Sequence, residues 1–568
     1  MSTTPAWHLF VPKLVTTLRQ GYGAGDLRQD LVAGLTVAIV ALPLAMALAI
    51  ASGTTPANGL VTAVVAGFLI SALGGSRFQI GGPTGAFVVI VYGVIERHGY
   101  DGLLLATLMA GVLLVAAGLV RLGTWIKYIP EPVTTGFTSG IAVIIFSSQV
   151  KDLLGLDMGA VPADFFAKWA AFWDARGSIA VPAMALSAGA LAIILLLRRF
   201  APRAPGFLLA IGAAALLAAL AGLDVDTIGS RFGGIPAGLP APSLPAVSLQ
   251  RLQELLPSAF TIAFLAGIES LLSAVVADGM TGRRHRSNCE LVAQGVANTA
   301  SALFGGLPAT GAIARTATSI RSGARSPVAG MMHAVFLLLF MWFLAPLAAW
   351  IPMASLAAVL VVVAWNMSEV ERFARLLRGP LGDRVVLLVT FLLTVAVDLT
   401  VAIAVGVVLA SMLFMHRMSE VAAIASGASG SELGLVENDT DDFTRPRADT
   451  YSQREELPPG VEVFQFRGPL FFGVAGRLSD VIDAIGGSPR VFILRMREVP
   501  LVDATGAARL RDFVNRADRC GTQVLISGLQ PQPRAVLEQT GVVGGSAKVT
   551  LVADFAAALA LARRLVES

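Results

Sequence analysis

The sequence predicts an α-helical, multi-span membrane protein with a small α/β domain at its C-terminal end. Three observations predict this: the composition is too apolar for a soluble core, long stretches carry no charge, and the character of the chain changes after Arg417. Of 568 residues, 55% are hydrophobic and 14% charged, with a mean hydropathy of +0.73, beyond what a water-soluble domain needs. Residues 31–76 and 326–368 contain no Asp, Glu, Lys or Arg, and each run is long enough for two spans of roughly 20 residues. Soluble-enzyme, collagen-like and disordered classes are thereby excluded. The net charge of +4 and pI of 9.3 read as membrane-topology signals rather than as a nucleic-acid surface. Cys289 and Cys520 lie far apart in segments assigned to the cytosol, so neither a disulfide framework nor a zinc cluster is expected.

Residues 1–29 carry Lys13, Arg19 and Arg28 without an apolar run that ends in a cleavage site, so they read as a cytosolic N-terminus rather than a signal peptide. Apolar runs follow near 32–52, 58–73, 81–95, 102–120, 132–150, 180–198 and 205–223. After a Pro-rich connection, a second set lies near 257–278, 290–305, 311–322, 327–346, 353–365, 384–397 and 399–416. The transporter region is thus 30–417, with repeats over about 30–223 and 257–417. Basic clusters such as Arg283, Arg284 and Arg286, or Arg372, Arg375 and Arg378, mark alternate ends. They predict fourteen spans with both termini cytosolic. The run 385–416 fits two short spans that break near Asp398, where capping of a helix is the expected role of that carboxylate.

The chain matches itself at an offset of 225 residues: Thr36 and Ala38 correspond to Thr261 and Ala263, and Gly81 and Pro83 to Gly306 and Pro308. One inserted residue later, Thr84, Gly85 and Ala86 correspond to Thr310, Gly311 and Ala312. Seven spans separate the copies, so they enter the membrane from opposite sides, the inverted-repeat plan of secondary transporters. Gly and Pro break helices, and broken backbone at membrane depth is tolerated where it is buried in protein or lines a cavity. Residues 78–83 and 306–311 therefore read as extended segments, each followed by a half-helix, with the two half-helix N-termini converging near the midplane. Each end offers unpaired N–H groups and roughly half a positive charge, which favours an anion. The alternative is that Gly and Pro only permit a kink or close packing.

Glu269 lies midway along the span 257–278, where a charge costs at least about 2.5–3.5 kcal/mol on insertion scales. It is the candidate proton carrier, the alternative being a structural hydrogen bond to a broken helix. Arg315 follows the second half-helix start and either adds fixed positive charge to the anion site or snorkels. His333, in an apolar span, reads as a satisfied core residue. Residues 418–460, with the acidic run 437–442, read as a linker. Beyond them EVFQFRG (462–468), RVFILRM (490–496) and TQVLISGL (522–529) read as strands, interleaved with helices near 473–485, after Asp503, near 533–540 and near 553–566. In the DATG loop (503–506), Asp503 or Thr505 is placed to cap the next helix. No P-loop, nucleophile elbow or metal-ligand spacing occurs, so neither an ATPase nor a hydrolase is read, and no cofactor is implied.

The stretches DLVAGLTVAIVALPLAMALAIASG (30–53), GGSRFQIGGPTGAF (74–87), GIESLLSAVVADGMTG (267–282) through GGLPATGAIART (305–316), and IPMASLAAVLVVVAWNM (351–367) resemble the SulP, or sulfate-permease, family, related to solute carrier family 26. The 461–568 tail with DATG resembles its STAS domain. The resemblance implies seven plus seven inverted repeats divided into a core and a gate domain, an elevator-like movement of the core, a homodimer, and residence in the bacterial inner membrane. It places the anion near Thr84, Gly85, Ala86, Phe87, Ala312, Ile313, Ala314 and Arg315, with Leu44 and Leu48 contributing from the first span. Glu269 falls where family members carry an acidic residue. Sodium-coupled relatives resemble this chain but have aspartate there, threonine at Ser273 and a hydroxyl-bearing residue near Ile313, so a proton rather than sodium is the expected partner. The implied function is uptake of a small inorganic or carboxylate anion such as sulfate, bicarbonate or a C4-dicarboxylate. An exchanger, an uncoupled uniporter or channel, and a membrane-tethered sensor signalling through STAS to a cytosolic partner are the alternatives. A nucleobase carrier is a further one, disfavoured by the two dipole ends and Arg315. Thr505 stands near the residue that antagonist relatives of STAS phosphorylate.

Overall fold

The computed structural model describes residues 9–124, 130–159, 161–162, 164–201, 204–397, 399–421, 423–426, 457–471, 489–544 and 549–567. The chain divides into two compact units, Met1–Val408 and Leu409–Ser568.

In the first unit, α1 (Lys13–Arg19) precedes α2 (Ala24–Ala51) and α3 (Pro56–Leu73); a two-residue strand β1 (Gly81–Gly82) then leads into α4 (Ala86–Leu119). Gly99, at φ 72°, breaks α4 into two helical stretches, as the separate apolar runs 81–95 and 102–120 predict. Next come α5 (Glu131–Leu154), α6 (Phe165–Asp174), α7 (Val181–Phe200), α8 (Gly206–Ala221) and α9 (Ile228–Phe232). The second repeat runs through α10 (Leu249–Thr281), α11 (Ser287–Leu303), β2 (Thr310–Gly311), α12 (Ile313–Arg321), α13 (Val328–Ala348), α14 (Met353–Met367), α15 (Val370–Leu377) and α16 (Leu381–Ala396) to α17 (Leu399–Val421), within which the division between the two units falls. Among the described residues nine helical stretches are long and apolar enough to cross a membrane, and α8 is a shorter apolar helix. The break between α16 and α17 falls where the sequence places it, although Asp398 itself lies outside the described residues.

Two groups of helices emerge. The helices α2, α3, α4, α10, α11, α12 and α13 pack chiefly on one another, as do α5, α7, α8, α14 and α16. Small residues let the first group close up. A Cβ on Gly59 of α3 would stand 2.1 Å from the Ala45 carbonyl oxygen of α2, and one on Gly295 of α11 would stand 2.5 Å from the Gly111 oxygen of α4. Backbones this close gain dispersion contact that lipid cannot outcompete.

In the second unit, a five-stranded sheet has the order β3 (Ala423–Ser426), β4 (Val461–Arg467), β5 (Val491–Glu498), β6 (Gln523–Ser527), β7 (Val549–Val552), with β3 antiparallel and the rest parallel. Side-chain alternation builds two cores. Phe464, Phe466, Phe492 and Leu494 face α18 (Ala504–Arg519) and α19 (Pro531–Gln539), while Val461, Val463, Val491 and Ile493 face α20 (Phe555–Glu567). The strand β3 lies inside the stretch the sequence reads as linker, because AIAS is too short to show a period. The helix expected near 473–485 lies outside the described residues.

Candidate functional site

The two Gly/Pro segments are extended, and they pair with each other: β1 and β2 run antiparallel, Gly81 opposite Gly311 and Gly82 opposite Thr310. The half-helices start directly after them, α4 at Ala86 and α12 at Ile313. Pairing across the repeats satisfies backbone that cannot reach water at this depth. Side chains complete the satisfaction. Ala309 is held at both its N–H and C=O by the Asn298 amide, each at 2.8 Å. The Thr62 hydroxyl accepts from Leu307 N at 2.6 Å, and the Ser301 hydroxyl donates to Leu307 O at 2.7 Å.

One face of α10 serves both repeats. The Ala266 carbonyl accepts from the Thr310 hydroxyl (2.9 Å), Glu269 Oε2 accepts from the Thr84 hydroxyl (2.8 Å), the Ser270 hydroxyl accepts from Gln79 Nε2 (2.8 Å), and the Ser273 hydroxyl donates to Thr316 Oγ1 (3.2 Å). The spacing of these four residues is i, i+3, i+4, i+7, a single stripe on the helix. Thr316 Oγ1 in turn accepts from Ile80 N at 3.1 Å. Ser273 thus reaches the back of α12, and its hydroxyl is engaged there.

Arg315 does not snorkel. It is 2% exposed, and its Nη2 donates to the Pro83 carbonyl at 2.7 Å, which ties the second half-helix to the strand leading into the first. Gly82, at φ 151°, makes room for the guanidinium, since a Cβ there would stand 2.5 Å from Arg315 Nη1. Arg315 Nε and Nη1 have no partner among the described residues, so the charge and two donors are uncommitted. Donors buried this way ordinarily find an acceptor.

The remaining candidates separate by exposure. Ala314 and Ile313 are exposed, Ile313 at 40%, and Thr84, Leu44 and Glu269 are partly exposed. Gly85, Ala86, Phe87, Ala312 and Leu48 are buried, the last within the main apolar cluster. His333 is fully buried, but neither ring nitrogen has a partner among the described residues, contrary to the satisfied core histidine the sequence suggests. Asp503 caps α18, accepting from Gly506 N at 2.7 Å, and Thr505 is exposed in the first turn.

Three polar residues escape the sequence reading: Gln79, Asn298 and Glu290. Glu290 is 0% exposed, accepts from Gly75 N (2.9 Å) and Ser76 N (3.1 Å) with one oxygen, and from Ser270 (3.2 Å) and Gln294 (3.0 Å) with the other. The i, i+4, i+8 spacing of Glu290, Gln294 and Asn298 on α11 was the signal that could have revealed this network.

The sulfate permease family model matches residues 27–390, and a STAS domain model matches 455–551. The chain belongs to the sulfate permease family. This family member is 43% identical over 524 residues to YvdB of Bacillus subtilis, covering 92% of this chain and 95% of that one. It is 31% identical over 524 residues to the bicarbonate transporter BicA of Picosynechococcus, covering 90% and 91%. The solved transmembrane domain of a cyanobacterial BicA superposes with a TM-score of 0.62 at 32% identity, covering 67% of this chain and 98% of that one. Murine Slc26a9 in the inward-facing state gives 0.83 at 17% identity over 99% and 96%, a likeness of fold. The family member is a multi-pass membrane transporter of anions, not an enzyme.

Proposed function

We propose that this chain is a proton-coupled secondary transporter that takes up a small anion bound between the starts of α4 and α12. The observation that carries the reading is the 2.8 Å hydrogen bond from Thr84 to Glu269. A threonine hydroxyl has one proton to donate. While Glu269 is ionised, it holds that donor and repels a second negative charge beside it. Once Glu269 carries a proton, it needs no donor, and the Thr84 hydroxyl turns to the anion at the half-helix N-terminus. Proton and anion then move together. Arg315 supplies fixed positive charge, and its two free donors suit an oxyanion. Sodium is not part of the reading, because Ser273 is engaged with Thr316 and Ile313 brings no oxygen.

In this reading fourteen spans in a bacterial inner membrane leave both termini in the cytosol, and α2–α4 with α10–α13 move as an elevator core against the other group within a homodimer. Sulfate, bicarbonate and C4-dicarboxylates are the candidate cargoes. The test is uptake of each labelled anion into liposomes, in sodium-free buffer, with and without an inward proton gradient. The gradient should stimulate uptake by the wild type and not by Glu269→Gln. Equal stimulation of both would remove the coupling role of Glu269.

A further inference from the structure

We infer that the cavity between α2, α4, α5, α6 and α16 is a second binding site for a small oxyanion, held by the ammonium group of Lys168. The cavity measures about 1160 Å³, and Thr54, Tyr92, Glu96, Ser148, Lys151 and Lys168 are among its lining residues. It opens at the ends of α5 and α16 remote from the basic clusters. Its lining lacks Thr84, Glu269 and Arg315 but reaches Val88 and Val89 in the first turn of α4, so it abuts the half-helix site without sharing those residues, and the inference depends on the transport reading only for the use made of the bound anion.

The sequence FFAKWAAFWD makes α6 a short amphipathic helix, with Phe166 and Trp173 64% and 67% exposed, as suits a helix lying in a membrane interface. Two contacts fix it: Trp169 Nε1 donates to Ser147 Oγ of α5 at 3.2 Å, and Asp164 caps the helix by accepting from Ala167 N at 2.8 Å. A lysine on such a helix ordinarily snorkels to water. Lys168 turns inward instead, with 5% exposure.

The other cations around the cavity have partners. Arg231 pairs with Asp152 at 2.7 Å, Lys151 donates to the carbonyls of Met158 and Gly159 at 2.7 and 2.9 Å, and Arg97 donates to Gly93 O at 3.0 Å. The Lys168 ammonium forms no hydrogen bond or ion pair among the described residues; Asp164 and Glu96 act on it only through space. A buried charge needs a partner, and the lining hydroxyls do not supply one, since Thr54, Tyr92 and Ser148 donate to the carbonyls of Ala49, Val161 and Ile145; the uncommitted ammonium is what would hold an oxyanion. Of the charged groups facing it, Glu96 and Arg97 come from α4, Lys151 and Asp152 from α5, Asp164 from the start of α6, and Arg231 from α9.

Burial lowers the pKa of Lys168, partly opposed by Asp164 and Glu96. It therefore loses its charge at lower pH than an ordinary lysine, and binding here weakens on the alkaline side. Lys168→Arg should abolish that alkaline loss.

The test uses the full chain in lipid-free detergent and pyridoxal 5′-phosphate, an anionic aldehyde, with borohydride reduction and mapping of the modified lysine. Lys168 should be modified ahead of Lys13 and Lys151, and sulfate should protect it. Adding phosphatidylglycerol separates the sources of the anion: protection unchanged by the lipid means a free oxyanion, and displacement of sulfate means a lipid phosphate bound at the same ammonium. Lys168→Met should raise the KM for uptake roughly tenfold with an unchanged maximal rate, and Lys168→Arg should restore it. Protection that persists in Arg315→Met, whether or not flux survives, supports the outer site independently of the inner one. Modification of Lys168 that no anion reduces, or its absence, overturns the inference, and this measurement on the wild type stands even if Lys168→Met fails to fold.

Discussion

Replacing Glu290 tests how the broken backbone is held. Its carboxyl accepts from two backbone N–H groups, Gly75 and Ser76, at the start of the segment that leads into β1, and from the Gln294 amide and the Ser270 hydroxyl. Glu290→Leu fills similar space, admits no water and leaves the three N–H donors without acceptors, while the Ser270 hydroxyl can rotate to the i−4 carbonyl. At about 1–3 kcal/mol for each buried orphan, the loss is roughly 3–9 kcal/mol. Glu290→Gln should be much milder. Its oxygen can keep the two backbone donors, and its new NH2 can meet Gln294 Oε1, which has no partner, once the Gln294 amide flips. Only charge assistance is then lost, about 1 kcal/mol. Thermal unfolding of the full chain in detergent, together with hydrogen exchange at the Gly75 and Ser76 amides, should rank wild type, Gln and Leu in that order, with the two amides exposed only in Leu. A leucine variant as stable and as protected as the wild type, or a glutamine variant as damaged as leucine, would refute the reasoning.

Three other outcomes follow from the geometry. Gly59→Ala puts a Cβ 2.1 Å from the Ala45 oxygen. It should destabilise the α2–α3 packing by about 1–3 kcal/mol, visible as a lower melting temperature and a poorer yield of monodisperse protein. Thr84→Val removes the hydroxyl that donates to Glu269, and loss of about 1.4 kcal/mol should slow gradient-driven uptake about tenfold; uptake at the wild-type rate would detach Thr84 from the proposed coupling. Asp503→Ala removes the α18 cap and should cost about 1 kcal/mol, read as faster hydrogen exchange over residues 504–507.

The sequence made the large plan legible because membrane helices announce themselves by apolar length and because the GxP element is duplicated. It located the half-helix starts at Thr84–Ala86 and Thr310–Ala312 within a residue or two. It could not show that Gly81 and Gly82 pair with Thr310 and Gly311, since a two-residue strand has no periodicity. Glu290 was hidden for a different reason: its charge, four residues after Arg286, reads as the rim of a span, whereas a turn at Gly75 and Ser76 folds over it. Lys168 was equally invisible, because a lysine in a loop is ordinarily solvated and only the aromatic anchoring of α6 turns it inward. At Asp503 local chemistry sufficed, as a capping residue needs only its own next turn.

The pairing of β1 with β2 carries a consequence for biogenesis. Gly81 and Gly311 are 230 residues apart, so at a synthesis rate of roughly 5–20 residues per second the first strand waits about 10–50 seconds for its partner. During that interval its N–H and C=O groups lie beside spans already threaded toward lipid, where unpaired backbone is not tolerated. The first repeat must therefore be kept in a wet or protein-lined shelter, such as the insertion machinery itself, until the second arrives, and the nascent protein is released to the bilayer only as a whole.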